Sequence, residues 1–314
     1  MTQTLSETSD FETLVADSAA KTSRREAKPQ RFLMCRPGNF EVYYSINRWM
    51  DVTVQVDAAL AMAQWENLRN TYLGLGHSVE VMDDVPGLPD MVFTANAGIV
   101  KGGKALVSKF RSEYRQPEEE YFAQWFQAQG FDVVRPELVN EGEGDFLWTG
   151  SVMLGGSGFR SELGAGPEVT ELLGLPTETL ELVDSRWYHI DTALAILDER
   201  TIAFVPEAFS PRSLEILAGL GLEQIRVCVE DAEWFALNAV SDGKNVVVAE
   251  QAVNFQAQLT EHGFTPVPVD VSEFLKSGGG AKCCTLILDR LYGPPVARIN
   301  GPGSACSISR RRRT

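Results

Sequence analysis

Lys276-Ser277-Gly278-Gly279-Gly280-Ala281-Lys282-Cys283-Cys284-Thr285-Leu286 decides how this chain reads. A glycine run and a lysine lead to a cysteine, which opens an apolar stretch. Glycine permits positive φ and close approach of a ligand. A thiol beside a cation is a candidate nucleophile, although a cysteine at a strand start is more often simply buried. The rest of the chain tips the balance, because the same pattern occurs five times. A helical run ends in a Gly-containing turn, a β-rich strand follows, and after a loop a polar residue starts a second strand.

The turns are Gly74-Leu75-Gly76, Gln129-Gly130, Gly174-Leu175-Pro176, Gly219-Leu220-Gly221 and His262-Gly263. The polar residues that follow are Asn96, Asp145, His189, Asn238 and Cys283, separated on subtraction by 49, 44, 49 and 45 positions. A unit of this size cannot bury its apolar face alone, so neighbours must pack about a common axis. The fold class is therefore α/β, a five-bladed α/β propeller of pseudo-fivefold ββαβ repeats, with equivalent loops meeting at one central cavity. Asp57 to Leu73 is expected to be a helix with Leu60, Trp65, Leu68 and Leu73 on its apolar stripe, and Glu118 to Gln129 a helix burying Phe122, Trp125 and Phe126. A doubly wound nucleotide-binding sheet is disfavoured, because Gly142-Glu143-Gly144 and Gly278-Gly279-Gly280 lack the GxGxxG or GxxxxGKS context.

The chain has 314 residues, 44% of them apolar, which is enough for a full core. A net charge of −15 argues against nucleic acid and mildly favours a cationic small molecule. No apolar run has the length of a membrane helix, so no membrane partner is expected. Five cysteines (Cys35, Cys228, Cys283, Cys284 and Cys306) without framework spacing point to a reducing, cytoplasmic setting. The expected organisation is a flexible leader over 1–30, one catalytic domain over 31–290 and a flexible tail over 291–314, which ends in Arg310 to Arg313 before Thr314. The oligomeric state stays open.

A cysteine, a histidine and acids that converge suit nucleophilic attack on an sp² carbon. His189 is one of three histidines; His77 and His262 fall in the Gly turns, where solvent is expected. Glu143 and Asp145 are two apart, so on an extended strand both carboxylates face one cation. Asn96 has apolar flanks, so its amide needs buried partners or a ligand. Adjacent Cys283 and Cys284, with no CxxC or HxxxH spacing, are poor metal ligands, so neither metal nor cofactor is expected.

At these residues the chain resembles the guanidino-modifying, or pentein, superfamily of arginine deiminases, dimethylargininases, agmatine deiminases and amidinotransferases. Within it the arginine dihydrolases are the nearest look-alikes. The resemblance spans about residues 31–290 and rests on Ile46-Asn47-x-Trp49-Met50, Pro89-Asp90-x-Val92 through Gly98, Glu141-Gly142-x-Gly144-Asp145, Gly158 through Glu162, Tyr188-His189-x-Asp191-Thr192, and Lys276 through Leu286. It implies Cys283 as nucleophile, His189 as general acid/base, and Glu143 orienting His189 or binding the guanidinium. Asp145 would hold the other guanidine nitrogens. Asn96, Asn47 and Phe93 would complete the substrate site, and Arg115 and Arg160 are candidates for an α-carboxylate. Asn96 stands where deiminases and dimethylargininases usually carry Asp, which favours the dihydrolase. The implied activity is hydrolysis of arginine's guanidino group through a covalent thiouronium, with dimethylargininase or amidinotransferase as alternatives. A non-enzymatic propeller scaffold is disfavoured by the intact set of reactive residues.

Overall fold

The computed structural model describes residues 25–289. Cys306 and the arginine run lie outside the described residues, as does most of the expected leader and tail. The described part is built from five three-stranded sheets, each an antiparallel pair extended by a parallel third strand. The strands in chain order are β1 (Arg31–Cys35), β2 (Ser78–Met82), β3 (Gly98–Lys101), β4 (Lys104–Val107) and β5 (Asp132–Val134). Then come β6 (Phe146–Trp148), β7 (Met153–Ser157), β8 (Thr177–Glu181), β9 (Leu194–Asp198) and β10 (Thr201–Phe204). The last are β11 (Glu223–Arg226), β12 (Val240–Ser241), β13 (Asn245–Ala249), β14 (Thr265–Val269) and β15 (Leu286–Asp289). The five sheets are β15-β1-β2, β3-β4-β5, β6-β7-β8, β9-β10-β11 and β12-β13-β14. Blade one is completed from the far end of the chain, with Leu33 paired to Leu286.

A helix makes each parallel crossover, as a parallel pair requires. These helices are α1 (Ala58–Gly74), α2 (Glu118–Ala128), α3 (Ala165–Leu173), α4 (Pro211–Gly219) and α5 (Val253–Glu261). Asp57 caps α1 by accepting from the backbone N–H groups of Ala59 and Leu60. Its buried stripe is Ala61, Gln64, Trp65, Leu68 and Tyr72. That corrects the expected stripe: Leu60 and Leu73 lie on its flanks and stay exposed, because 100° per residue carries them away from Trp65 and Leu68. In α2, Phe122 and Phe126 are fully buried and Trp125 partly.

Apolar clusters cross blade boundaries. Leu33 of β1 packs with Val107 of β4 and with Phe122 and Phe126. Ile99 of β3 packs with Phe146 of β6 and Val169 of α3. No blade therefore holds a private core, as the size of the repeat implies. Residues of β6, β9, β12 and β15 line a narrow cavity, so the first strands of these blades face a common axis. The segments that lead into those strands carry Asp145, His189, Asn238 and Cys283, which gather at one end of it.

Two expectations need correction away from that end. Residues 25–30, assigned to the leader, lie against the domain. Arg25 pairs with Asp198 and sits 3.5 Å over the Phe264 ring, and the backbone N–H of Lys28 donates to the Asp242 carbonyl at 2.9 Å. His77 is buried, not solvated; its Nδ1 accepts the Gln30 N–H at 3.0 Å. No helix among the described residues is long and apolar enough to cross a membrane.

Candidate active site

The loops before β6 and β9 bring an acid to the imidazole, and the acid is Glu141. Its Oε2 lies 2.7 Å from His189 Nε2 and accepts from Arg160 Nη1 at 3.0 Å, while its Oε1 accepts the Arg111 N–H at 3.2 Å. Glu141 is fully buried. Burial opposes its ionisation, but Arg160 and His189 outweigh it and hold the carboxyl well below the usual carboxylate range. An ionised Glu141 takes a proton donor from Nε2, which leaves Nδ1 as the basic atom of the ring. Nδ1 is buried and has no protein partner among the described residues.

Glu143 does not take this place. Residues Gly142–Gly144 form a 3-10 turn rather than a strand, so two-residue alternation does not apply. Gly142 sits at φ +60°, and a Cβ there would meet the Ala95 carbonyl oxygen at 2.8 Å. The turn sends Glu143 to Lys282 Nζ at 2.9 Å and to the Ile287 N–H at 3.1 Å. Asp145 faces a third way. Its Oδ2 accepts from Ser161 Oγ and N at 2.7 and 3.1 Å, and its Oδ1 accepts the Ile190 N–H at 3.2 Å. The two carboxylates expected to share one cation thus point apart, and Asp145 is occupied in joining the loops that carry Arg160 and His189.

The sulfur is met by Asp191, two residues beyond His189. Cys283 Sγ donates to Asp191 Oδ2 at 3.3 Å, and Asn238 Nδ2 donates to Sγ at 3.0 Å. Cys283 and Asp191 are both buried. Burial and the adjacent Asp191 push the thiol well up from its ordinary value. Burial also pushes Asp191 up to about 6, with His189 and Lys282 opposing. Its Oδ1 has no partner among the described residues.

The glycine loop is held from outside. Gly278 sits at φ +80°, and its carbonyl accepts from Tyr188 Oη at 2.6 Å. Asn47 Nδ2 donates to the Ser277 carbonyl at 3.0 Å, and a Cβ on Gly279 would strike the Phe93 ring. Asn96 Nδ2 donates to the Glu141 carbonyl at 3.0 Å, and its Oδ1 accepts from Arg115 Nη1 at 2.9 Å. Arg115 is committed further, to both oxygens of Glu118 at 3.0 and 2.8 Å and to the Asp90 carbonyl at 3.1 Å. Arg160 is less committed. Besides Glu141 it donates to the Ile46 carbonyl at 3.0 Å and lies 4.7 Å over the Tyr188 ring.

No family model matches the chain. Over 264 residues it is 50% identical to an N(G),N(G)-dimethylarginine dimethylaminohydrolase of Mycobacterium tuberculosis, a match covering 84% of this chain and 87% of that one. The chain belongs to the dimethylargininase and arginine dihydrolase family of guanidino-group hydrolases. It is also 37% identical over 273 residues to the bifunctional arginine dihydrolase/ornithine cyclodeaminase ArgZ of Synechocystis. That match takes in 85% of this chain but 39% of ArgZ, so the hydrolase spans about two fifths of that relative's length. The N-terminal domain of an ArgZ variant, solved covalently bound to a reaction intermediate, superposes with a TM-score of 0.80 at 35% identity, covering 83% of this chain and 98% of that one. The five small sheets are the pentein fold.

Sequence reasoning brought Cys283, His189, Asn96, Asn47 and Phe93 to this end of the hydrolase, and passed over Glu141, Asp191 and Asn238 as actors. A signal for Asp191 was present, since a carboxylate at the head of the apolar run Thr192 through Leu197 must be buried with a purpose. Among the described residues no His, Cys, Asp and Glu cluster is arranged to hold a metal ion. Cys35, Cys228, Cys283 and Cys284 are free thiols.

Asp191 gives a pH-dependent prediction. Its folded-state pKa is raised, so its contribution to stability is greatest below the unfolded pKa near 3.8 and is lost as pH rises through about 6. Asp191→Asn is expected to raise the melting temperature of the ligand-free enzyme by a few degrees at pH 8, roughly 2 to 3 kcal/mol at most, and to lose that gain as pH falls towards 4. Thermal melts across that range check it. The same change should cost hydrolysis about 10²-fold or more.

Proposed function

We propose that the enzyme hydrolyses arginine twice at the guanidino carbon, first to citrulline and ammonia, then to ornithine, carbon dioxide and a second ammonia. The observation that carries the chemistry is the Cys283 thiol hydrogen-bonded to the buried Asp191, two residues from an imidazole held by an ionised Glu141. A planar cation binds beside Asp191. It pairs with the carboxylate and removes the main electrostatic obstacle to a thiolate. The thiol proton passes to His189 Nδ1, the thiolate attacks the guanidino carbon, and ammonia leaves with that proton. Water, deprotonated at the same imidazole, then releases citrulline from the thiouronium. Arg160, with N–H groups to spare, is better placed for an α-carboxylate than Arg115, which Glu118 and Asn96 engage.

The second round is supported by Asn96. One Nδ2 hydrogen goes to the Glu141 carbonyl, which leaves the other for a ligand, and Nδ2 stands beside Gly144 and His189, since a Cβ on Gly144 would collide with Nδ2 and lie 3.2 Å from His189 Nδ1. That N–H can donate to a urea oxygen, which a carboxylate at position 96 cannot do. Citrulline is neutral, so a neutral amide also avoids an unpaired charge. A dimethylargininase reading is favoured by the 50% identical relative of that name. Mass analysis of products from arginine and from dimethylarginine, supplied separately, decides between them. The expected result is ornithine from arginine, with citrulline only transient, and Asn96→Asp stopping at citrulline. Citrulline as the end product, with dimethylamine released from dimethylarginine, overturns the dihydrolase in favour of the dimethylargininase.

A further inference from the structure

Of the five polar residues that the repeat sets ahead of equivalent strands, Asn238 has no part in the reaction above. Its surroundings are nonetheless those of a built position. The residue is 1% exposed and its side chain lies between the segments that carry Asp191 and Cys283. Oδ1 accepts the backbone N–H of Cys283 at 2.9 Å. Nδ2 donates to Cys283 Sγ at 3.0 Å and to the Asp191 carbonyl at 3.1 Å. The Asn238 carbonyl in turn accepts the Lys282 N–H at 3.1 Å. Gly280 leaves room for this grip, since a Cβ there would stand 2.9 Å from Oδ1. The acceptor must face the Cys283 N–H, so the amide cannot flip, and both of its donors are fixed.

We propose that Asn238 is a positioning residue for the nucleophile, one that fixes the sulfur and favours its thiolate by donating a hydrogen bond to it. The proposal rests on Cys283 being the nucleophile. As a thiol, the sulfur gives its single proton to Asp191 and accepts only weakly from Nδ2. As a thiolate it becomes a strong acceptor, so the Nδ2 bond tightens in the reactive state and lowers the cost of reaching it. The Gly280 backbone acts in the same direction, while burial and Asp191 act against it. The same side chain ties the His189–Asp191 segment to the Cys283 segment, so sulfur and carboxylate keep one spacing.

The test is the rate of alkylation of Cys283 by iodoacetamide between about pH 6 and 10, followed on the Cys283 peptide by mass spectrometry. Asn238→Ala removes the donor; Asn238→Asp keeps the acceptor for the Cys283 N–H and replaces the donor with an anion. Both are expected to move the profile upward by about one unit or more, the Asp variant further, which lowers the rate at pH 8 by about tenfold or more. Arginine turnover should show kcat reduced and KM little changed. Variants that melt like the wild type and keep its pH profile overturn the proposal. If neither variant folds, the wild-type side-chain amide of Asn238 decides it, followed by NMR. Its nitrogen and proton shifts must titrate with the thiol, and shifts that stay constant overturn the proposal equally. Wild-type enzyme that keeps its activity after complete modification of Cys283 sinks the nucleophile assignment instead.

Discussion

Cys283→Ala is expected to remove hydrolysis of the guanidino substrate almost completely, by about 10⁵-fold or more, while the protein stays folded and still binds arginine. The size of the loss follows from the covalent route. Without the sulfur, water must attack a delocalised cation directly, and the imidazole and carboxylates have no adduct to resolve. The stability cost is small, about 1 kcal/mol, because only the sulfhydryl is removed from a buried side chain whose backbone contacts are unchanged. Cys283→Ser separates the two effects. It keeps a donor for Asp191 Oδ2 and an acceptor for Asn238 Nδ2, so stability should return to the wild-type value. Activity should not return, since a hydroxyl does not ionise under conditions where the thiol does. Ammonia release, intact-protein mass after mixing with arginine, and calorimetric titration measure the three consequences. A Cys283→Ser enzyme that turns over arginine at the wild-type rate removes the sulfur from the mechanism.

The architecture was legible because it repeats. The spacing from Asn96 to Cys283 fixed the number of blades, and the Gly turns marked where each parallel strand begins. Asp57 and the apolar positions after it marked α1, although chain order alone did not separate the buried Trp65 and Leu68 from the flanking Leu60 and Leu73. The site was legible in its reactive atoms and not in its acids. Glu141, Glu143 and Asp145 form one short acidic string, and the 3-10 turn Gly142–Gly144 sends them to three partners. A rule for strands fails there, since positive φ at Gly142 has no counterpart in a strand. His77 was misread for a related reason. A Gly turn predicts an exposed position only if nothing crosses it, and Gln30 runs across this one while Asp242 faces the other ring nitrogen. Such long-range crossings leave no local mark in the sequence.

The exchange of roles between Glu141 and Glu143 has a direct consequence in the paired variants Glu141→Gln and Glu143→Gln. Glu141→Gln should lower activity by about 10²- to 10⁴-fold, a loss typical of removing the partner that orients a catalytic imidazole. It also strands the buried guanidinium of Arg160 without its counter-charge, which should cost about 3 kcal/mol of stability. The sign with pH is fixed by the depressed carboxyl. A group whose folded pKa lies below its unfolded value stabilises fully above that unfolded value, near 4.5, and loses the contribution as pH falls through the folded pKa. The stability gap between wild type and Glu141→Gln should therefore be constant from neutral pH down to about 5 and close only in stronger acid. Glu143→Gln should behave differently on every count. The amide oxygen can still accept the Ile287 N–H, and Lys282 Nζ keeps the Thr285 carbonyl at 3.0 Å. Activity should then stay within about tenfold of wild type, with a stability change of roughly 1 to 2 kcal/mol, because the Lys282 ammonium keeps hydrogen-bond partners after its counter-charge is removed. Initial rates, urea midpoints and melts from acid to neutral pH, taken on both variants side by side, read all of this. A Glu143→Gln enzyme that loses activity as deeply as Glu141→Gln would return the orienting role to Glu143 and contradict the 2.7 Å contact on which the assignment of Glu141 stands.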